Sequence, residues 1–367
     1  MKLLLLGDVC PTAATAPLFK EKKTDILFGD TRTLFDGVDF AVCNLECALT
    51  ETDGEIKKFG PCLKAPLETA EVLRELGFDL CGISNNHVFD FGTAGARDTV
   101  AALTGAGLDY TGFGENYEDS RKNYIVERDG KKIAIVAVCE HEYSYALENR
   151  LGSRPFDEYD TVEDIRRAKA SADRVIVMYH GGKEYCEYPS PRLRKLCRAL
   201  VRAGADVVLC QHSHCIGCYE SYEGAHILYG QGNFHFVKLG VIPADIVDLW
   251  NKSLAVHYDT EKNEITFTPV LVEKNGIRLA DAEEKERILS AFAARCEALK
   301  TDAWREGWHE FCERKKPDYL AVVKNTMAEN ATDRDNAFFA HYLDCEAHSD
   351  VWRELFPTYI KTNCLED

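Results

Sequence analysis

Short apolar runs, each stopped by small or polar residues, are the feature that most constrains this chain. Leu3–Leu6 ends at Gly7-Asp8, Phe40–Cys43 at Asn44-Leu45-Glu46, and Leu80–Ile83 at Ser84-Asn85-Asn86-His87. Val175–Met178 ends at Tyr179-His180-Gly181-Gly182, and Val207–Cys210 at Gln211-His212-Ser213-His214. Runs this short, with Ile133–Val138 as a sixth, read as buried strands. Between them Pro66–Leu76, Thr93–Thr104, Thr161–Ala172 and Pro191–Ala203 read as helices. Proline opens the first and last of these, and Gly77, Gly105 and Gly204 follow three of them. Alternation of this kind predicts a layered α/β domain.

Further strands are predicted in pairs. Tyr124–Arg128 and Lys132–Val138 flank Asp129-Gly130, a dipeptide suited to a tight hairpin turn. Tyr219–Tyr222 pairs with His226–Tyr229, and Ser253–Tyr258 with Glu264–Val270. Beyond Leu279 the strand pattern stops. Glu283–Leu299, Trp304–Met327 and Asn336–Leu355 read as helices, with Pro317 and Pro357 as breakers. The expected organisation is therefore a domain over 1–275 and a helical subdomain over 276–367. The tail carries many large aromatics, among them Trp304, Trp308, Phe311, Tyr319, Tyr342 and Trp352. Too many to stay in water, they must dock on the body, roof a pocket or join two subunits.

Functional groups in open α/β sheets gather beyond the carboxyl ends of strands. Here five such ends supply Asp8, Glu46, Asn86 with His87, His180, and His212 with His214. Carboxylate, amide oxygen and imidazole together suit Mn, Zn or Fe ions. Two ions about 3.5–4 Å apart, bridged by one carboxylate, are the expected cofactor. Alternation in a strand or an extended loop places His212 and His214 on one side, where they can address one metal pair together.

With 44 basic against 61 acidic residues, the net charge of −17 argues against a surface built for nucleic acid. No run approaches the roughly 20 apolar residues of a membrane span. Leu3–Leu6 is too short for a signal-peptide core, which favours a reduced, cytoplasmic setting for the fifteen cysteines. Cys215-Ile216-Gly217-Cys218 lacks a partner pair and reads as structural.

The ordered motifs Gly7-Asp8, Asn44-Leu45-Glu46, Asn85-Asn86-His87-x-x-Asp90-x-Gly92, His180-Gly181-Gly182, His212-x-His214 and Gly230-x-Gly232-Asn233-Phe234 resemble the CapA family of capsule-synthesis proteins over roughly residues 1–240. That family is associated with poly-γ-glutamate and related to calcineurin-like metallophosphoesterases. The resemblance implies an α/β/β/α sandwich. It also implies metal ligation by Asp8, Glu46, Asn86, His180, His212 and His214, and a catalytic His87 oriented by Asp90. Two positions depart from the phosphoesterase pattern: Cys10 replaces a histidine, and Glu46 stands where an aspartate bridges. Both would weaken one metal position. Lys64, Lys183, Glu184 and Asn233 are the candidate substrate contacts. The implied function is a metal-dependent hydrolase acting on an anionic phosphoester or γ-glutamyl amide. The alternative is a non-catalytic component that binds polymer or partner.

Overall fold

The computed structural model describes residues 1–140, 143–237 and 243–357. Two sheets stack face to face between layers of helix. The first places Ile277–Leu279, Glu264–Val272, Lys252–Asp259, Lys2–Val9, Phe40–Leu45, Leu80–Gly82 and Asp109–Thr111 side by side, and Asn233–His235 adds to the end of Lys2–Val9. The four strands from Lys2–Val9 outward to Asp109–Thr111 are parallel, and the other three are antiparallel. The second sheet runs Tyr219–Tyr222, Ala225–Leu228, Val207–Gln211, Arg174–His180, Lys131–Cys139 and Tyr124–Arg128. Its four central strands are parallel, and each edge strand folds back as a hairpin.

Pleating explains why these strands read as unbroken apolar runs. Successive side chains point to opposite faces, and here both faces are covered. Leu3, Leu5, Val42 and Leu80 meet Ile135, Ile176, Met178 and Leu209 of the second sheet. Leu4, Leu6, Cys43 and Cys81 face outward under Phe19, Phe28, Leu73 and Leu103. On the far side Val136, Val138, Val177 and Val208 lie beneath Ile165 and Ala168 of the Glu158–Ser171 helix and Cys197 and Leu200 of the Pro191–Ala203 helix. The α/β/β/α sandwich is thus present. Asp129 and Gly130 turn the predicted hairpin with φ of 52° and 70°, the positive values a type I′ turn requires.

The tail departs from expectation in two places. Pro317 does not break its helix, which runs unbroken over Ala303–Thr326. Proline forfeits one backbone hydrogen bond, a cost of about 3 kcal/mol. Burial of Trp308, Phe311, Cys312, Tyr319 and Val322 along the same helix offsets it. Asn336–Leu355 is two helices, Asp333–Asp344 and Glu346–Leu355, divided at Cys345, whose backbone is extended. Pro357 does follow a helix end. One further strand, Ile277–Leu279, lies beyond residue 275, and the tail's helices begin at Ala282.

Among the described residues, the tail docks on the body at several points. Ile288 and Phe292 close the gap between the sheets, and Leu299 and Trp304 pack with the helices of the second sheet. Trp308, Phe311, Cys312, Tyr319, Val351 and Leu355 then form a cluster of their own around Cys186. Arg192 anchors the end of this chain of contacts. Its guanidinium pairs with both Glu140 and Asp350, and Asp350 also accepts from Ser190 Oγ at 2.5 Å.

Candidate metal centre

The first strand delivers Asp8 and the neighbouring parallel strand delivers Asn44 and, just past its end, Glu46. Asn44 Nδ2 donates to Asp8 Oδ1 at 2.8 Å and lies 3.2 Å from His180 Nδ1, while Asn44 Oδ1 accepts from Asn85. Asn85 Oδ1 in turn caps the backbone N–H groups of His87 and Val88, fixing the turn that presents Asn86 and His87. His180 ends the Arg174–His180 strand, and its Nε2 lies 2.9 Å from Asn86 Oδ1.

His212 and His214 reach the same place by a different route from the one expected. The strand ends at Gln211, and both histidines have positive φ, 78° and 52°. Non-glycine residues rarely adopt such angles, so their convergence comes from a tight loop and not from strand alternation. Asn233 Oδ1 accepts the Nδ1–H of His214 at 2.9 Å, leaving Nε2 toward Glu46 at 3.7 Å.

Glu46 is the centre of the arrangement. Its carboxylate is fully buried, and neither oxygen is hydrogen-bonded. Two groups of ligand-type atoms, each within 4.8 Å of one another, share it: Asp8, Glu46 and His180, and Glu46, His212 and His214. Burial pushes the Glu46 carboxyl up to about 7, and burial with the adjacent Glu46 charge pushes Asp8 up to about 6. Burial likewise lowers His180 to about 4 and drives His212 well down. Neutral imidazoles around carboxylates that resist ionisation form a set that divalent cations would fit. The O/N donors suit Mn, Zn or Fe, and the shared carboxylate suits a bridge.

Beside this floor lies a cavity of about 340 Å³. His87 and Asn86 line it, and Asp90, fully buried behind His87, holds the ring through Nδ1 at 2.6 Å. Lys183 and Glu184, two of the candidate substrate contacts, also line the cavity. Two other candidates stand elsewhere. Lys64 belongs to a two-residue strand whose inward position is Ala65, so its side chain faces solvent and pairs with Asp53. Asn233 sits behind His214 and not in the cavity wall. Cys10 stays in the apolar core, and its thiol is held well above its ordinary range by burial and the neighbouring Cys47.

No motif or periodicity singled out Lys58. Its side chain is 3% exposed, its ammonium pairs with Asp90, and it lies 3.2 Å from His87 Nδ1. The tail supplies the cavity's roof through Lys315, Asp318, Tyr319, His341, Tyr342 and His348. Docking on the body and covering the pocket are therefore one arrangement.

A layered α/β protein whose parallel strands end in a carboxylate–imidazole rim is the class that fold and site define. The chain belongs to the bacterial capsule synthesis protein family, described as "Bacterial capsule synthesis protein PGA_cap", which it matches over residues 2–238. The match stops short of the helical tail. The PGA biosynthesis protein CapA of Bacillus subtilis (strain 168) is 30% identical over 293 residues, 74% of each chain. The capsule biosynthesis protein CapA of Bacillus anthracis is 29% identical over 245 residues, 64% of this chain but only 60% of that protein's length. A hypothetical protein from Thermus thermophilus, of solved structure, covers 73% of this chain and 98% of its own, at 15% identity and a TM-score of 0.44. No helix among the described residues is long and apolar enough to cross a membrane.

Proposed function

We propose that this capsule-synthesis family member is a metal-dependent hydrolase of anionic substrates, either phosphoesters or γ-glutamyl amides. The observation that carries the reading is Glu46, a fully buried carboxylate without a hydrogen-bond donor, shared by two ligand groups. A binding-only protein has no use for so costly a group. Asp8, Glu46, Asn86, His180, His212 and His214 would hold the cations, which when bound supply Lewis acidity toward the scissile group.

The remaining work falls to the chain's own side chains. Lys58 and Lys183 set positive charge on the cavity wall, where an anionic group would lie. With its Nδ1–H donated to Asp90, His87 turns Nε2 away from that partner for proton transfer. Burial and then the Lys58 charge hold the His87 imidazole below its ordinary value, so it rests neutral. An anion bound beside it draws a proton onto the ring, which can then pass to the leaving group. Closure by the tail excludes water and strengthens each of these interactions.

The test is metal content of the purified protein, followed by turnover assays on phosphoesters and γ-glutamyl peptides with wild type and Glu46→Gln. Bound Mn, Zn or Fe with turnover lost in the variant is the expected result. Polyglutamate binding that survives chelation, without turnover of any substrate, would overturn hydrolysis in favour of the non-catalytic reading.

A further inference from the structure

The cavity's roof carries a second group of ligand-type side chains, separate from the floor. His341, Cys345 and His348 each offer one ligand atom, and these lie within 4.8 Å of one another. The helix break at Cys345 makes this possible. Its extended backbone separates the Asp333–Asp344 helix from Glu346–Leu355, and a histidine of each offers a ligand atom within 4.8 Å of the Cys345 thiol.

Several details favour a cation there. Cys345 and His348 are buried. His348 Nδ1 lies 2.7 Å from Tyr319 Oη, and its Nε2 lies 3.4 Å from the Lys183 ammonium. An ammonium only donates, so Nε2 is the acceptor and Nδ1–H donates to the tyrosine. An imidazole oriented by a hydrogen bond at one nitrogen, with its other lone pair available to bind, is the usual state of a metal-ligating histidine. That lone pair already points at a positive charge, whose place a divalent ion would take. Stacking on Phe59, with ring centroids 4.5 Å apart and planes 14° apart, positions His341.

We infer that His341, Cys345 and His348 form a zinc site in the roof of the cavity, with its fourth position open to the space above the floor. Sulfur and imidazole donors select zinc over the harder ions that the oxygen-rich floor accepts. Tetrahedral zinc, with bonds of about 2.0–2.3 Å, needs its ligands about 3.3–3.8 Å apart, within small side-chain adjustments of the present arrangement. An ion with an open position there would draw an anionic ligand into the cavity from above. The site stands or falls independently of hydrolysis at the floor.

The experiment uses the full chain, stripped with chelator and titrated with cobalt(II) and zinc(II). A thiolate-to-cobalt charge-transfer absorption is expected in wild type and in Glu46→Gln, and is expected to vanish in Cys345→Ser. None of the floor ligands carries sulfur, so the band reports the roof alone. Zinc bound per chain should fall by about one equivalent in Cys345→Ser and again in His341→Ala, which leaves the thiol in place. Absence of the band in wild type, its persistence in Cys345→Ser, or an unchanged zinc ratio in His341→Ala would overturn the site.

Discussion

Replacing Glu46 by glutamine tests the physical premise of the metal centre without assuming any substrate. In the metal-free protein the Glu46 carboxyl is raised from 4.5 to about 7. At about 1.4 kcal/mol per pH unit, that displacement corresponds to about 3 kcal/mol. The folded state holds the proton more tightly than the unfolded one, so stability is unaffected below pH 4.5. It falls as pH rises from 4.5 to 7, and then levels off. Asp8, raised from 3.8 to about 6, adds a loss of the same sign over a slightly lower range. Glutamine carries no proton to lose, so the chelated Glu46→Gln protein should lack the Glu46 part of this decline. Urea unfolding of both chelated proteins at intervals from pH 4 to pH 8.5 gives the comparison. Relative to wild type, the variant should gain about 3 kcal/mol across that range, whatever constant offset the amide introduces. Added Mn or Zn should restore wild type at pH 8 and help the variant far less. Parallel pH profiles for the two chelated proteins would refute the reasoning, because Glu46 would then be neither buried nor unpartnered as described.

Three other perturbations follow from the geometry. His87→Ala should keep its bound metal while losing about 10²–10⁴-fold in turnover of a good substrate, measured as kcat beside metal content; loss of metal would contradict its place beside the ligand set. Gly7→Ala would drive a Cβ to 2.0 Å from the Gly232 carbonyl oxygen, where the strand carrying Asp8 meets the segment leading to Asn233. Backbone cannot yield there, so a loss of at least about 2 kcal/mol, together with weakened metal binding, should appear in thermal melts and metal analysis. Asp350→Ala removes one of the two carboxylates paired with Arg192 and the acceptor of the Ser190 hydroxyl. It should cost about 2–3 kcal/mol and speed proteolysis within the tail, and an unchanged cleavage rate would show that this anchor does not hold the roof.

The layers were legible because fully buried parallel strands advertise themselves as short apolar runs, and the candidate ligands because they follow the ends of those runs. Six residues at five strand ends do meet: Asp8, Glu46, Asn86, His180, His212 and His214. The reason offered for the last two was wrong, since the geometry depends on positive φ at both histidines, which no residue pattern announces. Lys64 was the candidate cation, yet Lys58 and not Lys64 lines the cavity, and the residue pattern around them could not show this. Residues 51–63 are irregular, so no periodicity tells inside from outside there. Pro317 misled because a local penalty was weighed without the tertiary burial that offsets it. The tail's aromatics showed that it must be covered, but an amphipathic pattern does not name its partner.

Floor and roof are coupled through the dielectric they share. Tail residues that line the cavity remove water from beside Asn86, His87 and His212, and so lower the dielectric next to the buried Asp8 and Glu46 carboxylates. The same exclusion of water strengthens their attraction for a cation once it arrives. If the proposed cations bind there, a docked tail would make the cation-free carboxylates costlier and the bound cations tighter. Loosening the tail, as Asp350→Ala should do, would lower metal affinity without altering a single ligand. The family match ends at residue 238, and the roof lies beyond it. On the proposed reading, a relative that shares the rim but covers it differently would hold a cation with a different strength.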